Sequence, residues 1–347
     1  MIKKGPVPTK INMDFELIEK RMANEPKYRI KQIRKLIFQD FIENWERATT
    51  LPLMLRKELE DNCSLEIKHK IIESSDKNTL KVLMELSDNL MIETVLMKHS
   101  EDRATVCVSS QVGCALGCSF CATGTMGFKR NLDVKEIIEQ GLLFSRYLAK
   151  QGKKVTNIVF MGMGEPFLNY DNVLKAIKIL NSQEYFNIGA RKISISTSGV
   201  IPGIRKLTKE KIQVNLSVSL HAPNNALRNK LMPINKQYSL EKLLNAVNQY
   251  IKKTNRKVMF EYLMIKGVND SLKCAEELAV LMKRPLNMVN LIVYNQTGKF
   301  EASDRKTIKK FKEYLENEGI FTTQRYEFGR KIKAACGQLV ANDVFKI

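Results

Sequence analysis

The chain has 347 residues, 44% of them hydrophobic, enough for a core of ordinary size, which excludes wholesale disorder. It holds no run of 18 apolar residues, and its opening MIKKGPVPTKINMDFELIEK lacks the apolar stretch of a secretory signal, so no membrane span and a cytoplasmic location are expected. Fifty-seven Lys and Arg face 37 Asp and Glu, a net charge of +20, which favours a polyanionic partner, most simply nucleic acid, because neutralising phosphates releases counterions.

The excess is uneven: residues 201–260 hold 12 Lys and Arg against two Asp and Glu. Half of the net charge thus lies in about a sixth of the chain, as in a nucleic-acid footprint.

In chain order, residues 1–85 read as a small helical accessory domain that grips RNA. Apolar residues recur at three- and four-residue spacing in YRIKQIRKLIFQDFIENW (28–45) and PLMLRKELEDN (52–62), the pattern of amphipathic helices. From about residue 80 strands take over. LKVLMELSD and MIETVLMK suggest a hairpin. ATVCVSS, VTNIVFMGMG (155–164), RKISISTSG, IQVNLSVSL, KVMFEYLMI and NMVNLIVYN (287–295) follow, most with a helical pattern behind them. Such alternation implies parallel βαβ units in an open sheet or a full or partial (β/α) barrel. The expected core covers residues 86–300, and 301–347 form a terminal helix, strand and tail. In these folds chemistry gathers at the carboxyl ends of the strands. GMGEP (162–166), STSG (196–199) and SLHAP (219–223) fall there.

GCALGCSFCATG (113–124) crowds three of the seven cysteines into eight positions. A structural zinc site usually takes four ligands, often as two pairs, and no fourth cysteine or histidine is near. Three thiolates can instead hold a [4Fe–4S] cluster with one iron left open. Cys114, Cys118 and Cys121 are therefore the expected metal ligands.

This spacing, with Phe120 before the last cysteine, resembles the radical S-adenosylmethionine superfamily. CVSSQVGCALGCSFCATGTMGFKRNL (107–132), FMGMGEP, ISTSG, SLHAP, LMPIN (231–235) and AACGQL (334–339) together resemble its adenosine-C2 RNA methyltransferases. The resemblance covers roughly residues 25–340. It implies an α/β fold of the radical SAM type, a partial (β/α) barrel. It also implies a [4Fe–4S] cluster on Cys114, Cys118 and Cys121, and two molecules of S-adenosylmethionine per turnover. The expected cofactor contacts are Gly164, Glu165, Ser196, Ser219, Leu220, His221 and Asn295. The expected substrates are 23S ribosomal RNA and transfer RNA, the expected reductant an electron donor such as flavodoxin, and the expected state a monomer.

The chemistry explains the need for radicals. C2 of adenine is an electron-poor aromatic carbon with no lone pair to attack a methyl group, whereas radical addition can reach it. In the family a cysteine first takes a methyl group by displacement, as a thiolate nucleophile can. A radical drawn from the second S-adenosylmethionine then activates that methyl for addition to the ring. The resemblance assigns the S-methylcysteine to Cys336, the resolving partner in a transient disulfide with Cys336 to Cys107, and the proton acceptor to Glu93. Two positions depart from the family pattern: Gln296, where proline is common, and Lys331, where an acid is usual. Methylation at C8 is the nearest alternative. An RNA-binding protein with a structural zinc and no catalysis is the alternative of another class.

Overall fold

The computed structural model describes residues 15–100, 102–326 and 328–341. Three helices come first: α1 (Phe15–Arg21), α2 (Lys27–Phe38) and α3 (Leu53–Asn62). α2 buries Ile33, Leu36, Ile37 and Phe38. Trp45 is sealed behind it, its indole N–H donating to the Cys63 carbonyl at 2.6 Å. Helix ends at Asn62. The expectation of helix up to about residue 80 is corrected by a strand, β1 (His69–Glu73), that pairs antiparallel with β2 (Thr79–Glu85), the first arm of the expected hairpin. β1 is exposed along its whole length at the sheet edge, so its side chains carry no burial pattern to mark it as strand. Residues 1–14 and 342–347, which the expected terminal domains include, lie outside the described residues.

β3 (Met91–Ser100) and β4 (Arg103–Val108) continue the antiparallel run. A small hairpin follows, β5 (Gln111–Gly113) with β6 (Phe128–Asn131), enclosing the short helix α4 (Ala122–Thr125). The chain then alternates α5 (Val134–Ala149), β7 (Asn157–Phe160), α6 (Tyr170–Asn181), β8 (Ile193–Thr197), α7 (Ile201–Leu207) and β9 (Asn215–Ser219). α8 (Asn225–Leu231), α9 (Leu240–Thr254), β10 (Val258–Met264), α10 (Leu272–Met282), β11 (Asn287–Val293), α11 (Arg305–Asn317) and β12 (Thr322–Gln324) complete it.

The ten-stranded sheet runs β1-β2-β3-β4-β7-β8-β9-β10-β11-β12, and every pairing from β4 to β12 is parallel. It does not close, but it curls, because Thr105 and Cys107 of β4 line one cavity together with Thr323 and Gln324 of β12. The result is a partial barrel. Along β7 and β8, Ile158, Phe160, Ile193 and Ile195 are buried, while Val159, Ser194 and Ser196 between them are only partly so. That period of two sends the apolar set to the helices and the smaller set to the concave face.

One continuous core reaches from Ile18 to Leu339, so the N-terminal helices share it. Arg146 of α5 fastens them, donating to the carbonyls of Leu65 and Ile42 at 2.8 and 2.6 Å. Among the described residues no helix is long and apolar enough to cross a membrane.

Candidate active site

The three clustered cysteines sit on a loop whose base is clamped by the β5–β6 hairpin. Gly113 at φ +75° makes the closure possible: a Cβ there would lie 1.8 Å from the Gly127 carbonyl oxygen, which accepts from Cys114 N–H at 3.0 Å. The far side of the loop is tied to the C-terminal segment. Ala122 N–H donates to the Gly337 carbonyl at 2.7 Å and Thr123 Oγ1 to the Leu339 carbonyl at 2.7 Å. Leu116, Cys118 and Phe120 rest on a small apolar cluster that includes Met232, Leu263 and Tyr294. Cys114, Cys118 and Cys121 all line one cavity of about 150 Å³ at the carboxyl ends of the strands.

The strand-end motifs converge on the same cavity. Gly164 takes φ +96°, and a Cβ on it would lie 2.5 Å from that of Gln111. Glu165 is buried, with Oε2 accepting from Ser198 N–H at 2.7 Å and Oε1 from Phe167 N–H at 3.1 Å. Burial raises its pKa and these N–H groups oppose the shift. Ser196, Ser219 and His221 join the lining. His221 lies at φ +57° with Nδ1 accepting from Leu263 N–H at 3.1 Å, which puts its proton on Nε2. Burial, with Arg228 and Arg325 nearby, lowers its pKa to about 3, so the ring is neutral.

Leu220 departs from expectation. Its side chain is fully buried in the core, its N–H donates to the Glu261 carbonyl, and its own carbonyl accepts from Arg228. It does not line the cavity.

Sequence reasoning missed Arg228. Fully buried, it donates to the carbonyls of Ser198, Ser219 and Leu220 and to Asn235 Oδ1, at 2.8 to 3.2 Å. One guanidinium therefore welds the ends of β8 and β9, which hold Ser196 and Ser219.

Cys336 lines this cavity and also a second one of about 500 Å³. Cys107 lines only the second. Burial, with Cys336 adding to it, pushes the Cys107 thiol up to about 12. Arg325 stands in the shared wall. Its Nη1 donates to Cys336 Sγ at 3.0 Å, and its Nη2 reaches Glu261 Oε1 at 3.2 Å and Met161 Sδ at 3.3 Å. Asn290 Nδ2 donates to the other oxygen of Glu261 at 2.8 Å, and Thr323 Oγ1 to Asn290 Oδ1 at 2.8 Å. Burial works against the charge on Arg325, but Glu261 and Cys336 more than offset it and hold the guanidinium above its usual range. No sequence motif marked Arg325; its place at the end of β12, eleven residues before Cys336, was the available signal.

Asn295, also expected among the cofactor contacts, lines the second cavity and not the one the triad faces. Its Nδ2 donates to the Cys336 carbonyl at 3.3 Å, while its buried Oδ1 has no partner among the described residues. Glu93 is set apart and lines neither cavity. Lys81 Nζ lies 2.8 Å from Oε1, and Val340 N–H donates to Oε2 at 2.9 Å. Burial raises its carboxyl pKa, opposed by Lys81 and the Val340 N–H. The departures flank the same segment: Gln296 accepts through its carbonyl from Gln338 Nε2 at 3.2 Å, and Lys331 is exposed. All seven cysteines are free.

The donor set fits a cluster better than a single ion. Among the described residues no three His, Cys, Asp or Glu are gathered closely enough to hold one metal ion, yet three thiols face one cavity. Burial pushes the Cys114 thiol up to about 12 and Cys118 higher, so thiolates there need a strongly positive partner such as iron. The orphaned Oδ1 of Asn295, which lines the second cavity, supplies an acceptor suited to a ligand bound there.

A curled parallel sheet with an incomplete cysteine triad over its strand ends defines the radical SAM class. Residues 108–278 match the sequence profile of the Radical SAM superfamily. A probable dual-specificity RNA methyltransferase RlmN from Dictyoglomus thermophilum is 47% identical, with 91% of each chain covered. The ribosomal RNA large subunit methyltransferase N of Nitrosopumilus maritimus is 43% identical over 90% of this chain and 92% of its own. The crystal structure of a radical SAM methyltransferase from Sphaerobacter thermophilus superposes with a TM-score of 0.90 at 43% identity, covering 95% of this chain and 98% of that one. The chain belongs to the radical SAM superfamily and, within it, to the RlmN family of RNA methyltransferases.

Proposed function

We propose that the protein methylates C2 of an adenosine in the peptidyl-transferase centre of 23S rRNA and of the adenosine 3′ to the anticodon in tRNA. The observation that carries the reading is the position of Cys336. It faces the cysteine triad across one cavity and Cys107 across another, where a carrier between cofactor and base must stand. The larger cavity falls within the size range of small-ligand sites.

Cys114, Cys118 and Cys121 would hold the [4Fe–4S] cluster, with Glu165, Ser196, Ser219 and His221 around S-adenosylmethionine. When bound, the pair supplies a methyl group and, with one electron from a donor such as flavodoxin, a hydrogen-abstracting radical. Two molecules of S-adenosylmethionine are consumed per methyl delivered. The chain's own groups do the rest. Cys336 attacks the first methyl group as a thiolate and carries it as a thioether. Neutral His221 offers an Nε2–H donor to the cavity without adding charge. Arg325 keeps the Cys336 sulfur oriented toward both cavities.

Once the carbon has joined adenine, the odd-electron adduct gives up one electron, which a cluster held by Cys114, Cys118 and Cys121 would accept, and Glu93 takes the C2 proton. Its carboxylate is held by Lys81 and the Val340 N–H outside both cavities, so the reading requires base and carboxylate to be brought together during turnover. Cys107 then attacks the Cys336 sulfur. An S–S bond forms, the S–C bond breaks, and its electron pair goes to carbon, which takes a proton to become methyl. The two-electron reduction of the disulfide by thiols resets the site.

Mass spectrometry of digested RNA from a strain lacking its own enzyme and expressing this chain tests the reading. 2-Methyladenosine is the expected product; 8-methyladenosine in its place would assign the C8 reaction. A colourless protein that never cleaves S-adenosylmethionine under anaerobic reduction would remove catalysis altogether.

A further inference from the structure

Every turn leading from a helix into a parallel strand lies at the amino ends of the strands, on a floor opposite the cysteine loop. These turns carry paired cations: Lys153 and Lys154 ahead of β7, Arg191 and Lys192 ahead of β8, Lys209 and Lys211 ahead of β9. Lys252, Lys253, Arg256 and Lys257 close α9 and enter β10, and Arg284 follows α10. All are exposed but Arg256, which is half-buried. The acids in the same turns are already taken, Glu184 by Arg34, Glu210 by Lys178 and Glu318 by Lys283.

Helix dipoles do not account for this floor. A cation gains from the dipole only in the last turn of a helix, and the gain fades within that turn. Much of this charge lies beyond the helix ends, and gathering like charges at one end of a domain costs repulsion. The arrangement suits a partner that brings phosphates.

We infer that this floor is a second docking surface, for backbone phosphates of structured RNA remote from the target base. The inference rests on the RNA-methyltransferase reading and deepens it. An acidic electron-donor protein is the competing occupant, and distance disfavours it. β10 alone, seven residues, is about 23 Å long, and the triad lies beyond its far end. A folded RNA is large enough to present one base at the mouth and phosphates at the floor.

The experiment compares the wild type with K252Q/K253Q/K257Q, three exposed positions outside the site, with thermal melting to show that folding is kept. Fluorescence anisotropy follows two labelled RNAs across a salt series. One is a full-length transfer RNA, the other a short hairpin carrying only its anticodon stem and loop. For the full-length RNA the variant should bind roughly tenfold more weakly. Its slope of log affinity against log salt should fall by about two to three, near 0.9 for each phosphate no longer neutralised. Hairpin binding and hairpin methylation should not change.

An unchanged slope on the full-length RNA overturns the floor and leaves the enzyme reading intact. Equal losses on both RNAs also overturn it, because the lysines would then act at the mouth. Salt-dependent loss of reduction by flavodoxin, with RNA binding unaltered, assigns the floor to the electron donor instead. Wild type that neither binds nor methylates either RNA overturns the floor as a transfer-RNA dock and removes transfer RNA from the proposed substrates, while the 23S rRNA reading stands on its own test.

Discussion

Arg325 Nη1 lies 3.0 Å from the sulfur of Cys336, and the same guanidinium is held by Glu261. A charged donor held at this distance fixes the direction in which the sulfur points. Replacing Arg325 with Met should slow alkylation of Cys336 by iodoacetamide by about tenfold or more, read by peptide mass spectrometry in a Cys107→Ala background. Arg325→Lys should restore a good part of that rate. A Met variant that reacts as fast as the parent would remove this role from Arg325.

The two lone cysteines should fail differently. Cys336→Ala should abolish RNA methylation while leaving anaerobic cleavage of S-adenosylmethionine measurable. Cys107→Ala should leave RNA covalently attached to the protein, visible as a nuclease-sensitive shift on a denaturing gel. Clean turnover by the Cys107 variant would contradict the resolving role.

Gly164 tests the cofactor cavity. Ala there combines φ +96° with a Cβ 2.5 Å from that of Gln111, a strain on the order of 1–3 kcal/mol. Relief displaces the backbone at Gly164 and Glu165, both of which line the cavity. Calorimetry should show S-adenosylmethionine affinity reduced more than tenfold, beyond any change in melting temperature. Unaltered affinity would place the methionine moiety elsewhere.

His221 makes a pH prediction. Its folded pKa, about 3, is depressed from 6.5. Below pH 6.5 the unfolded chain takes up a proton that the native state refuses. The contribution is therefore complete above pH 6.5 and is lost as pH falls from there toward 3, by at most about 1.4 kcal/mol per pH unit. His221→Asn, which tolerates the positive φ, should flatten the fall in urea midpoint between pH 6.5 and 5. Parallel curves for the two proteins would show that the histidine does not titrate as buried.

Local patterns revealed what depended on local spacing. The C-x3-C-x2-C loop, the strand-end motifs and the βαβ alternation were legible because cluster ligation and period-two burial impose short-range rules. β1 was not legible, since an exposed edge strand has no buried face to set a pattern. Leu220 sits inside a motif, yet its side chain points into the core, and alternation along a strand end is decided by packing. Arg228 was invisible because its carbonyl partners meet only where the adjacent strands β8 and β9 end. Arg325 was invisible because Met161, Glu261 and Cys336 come together only in the folded sheet.

The sequence by itself determined the class of chemistry, because three thiols in eight positions leave few alternatives. It also determined that the chain is basic, and that the excess concentrates in residues 201–260. Only the tertiary structure decided where that charge goes. Because the strands run parallel, every αβ turn falls at the same end of the sheet, so separate pairs of lysines merge into one floor, away from the triad. The curl of the sheet brings Cys336 between two cavities, with Cys107 across one and the triad across the other.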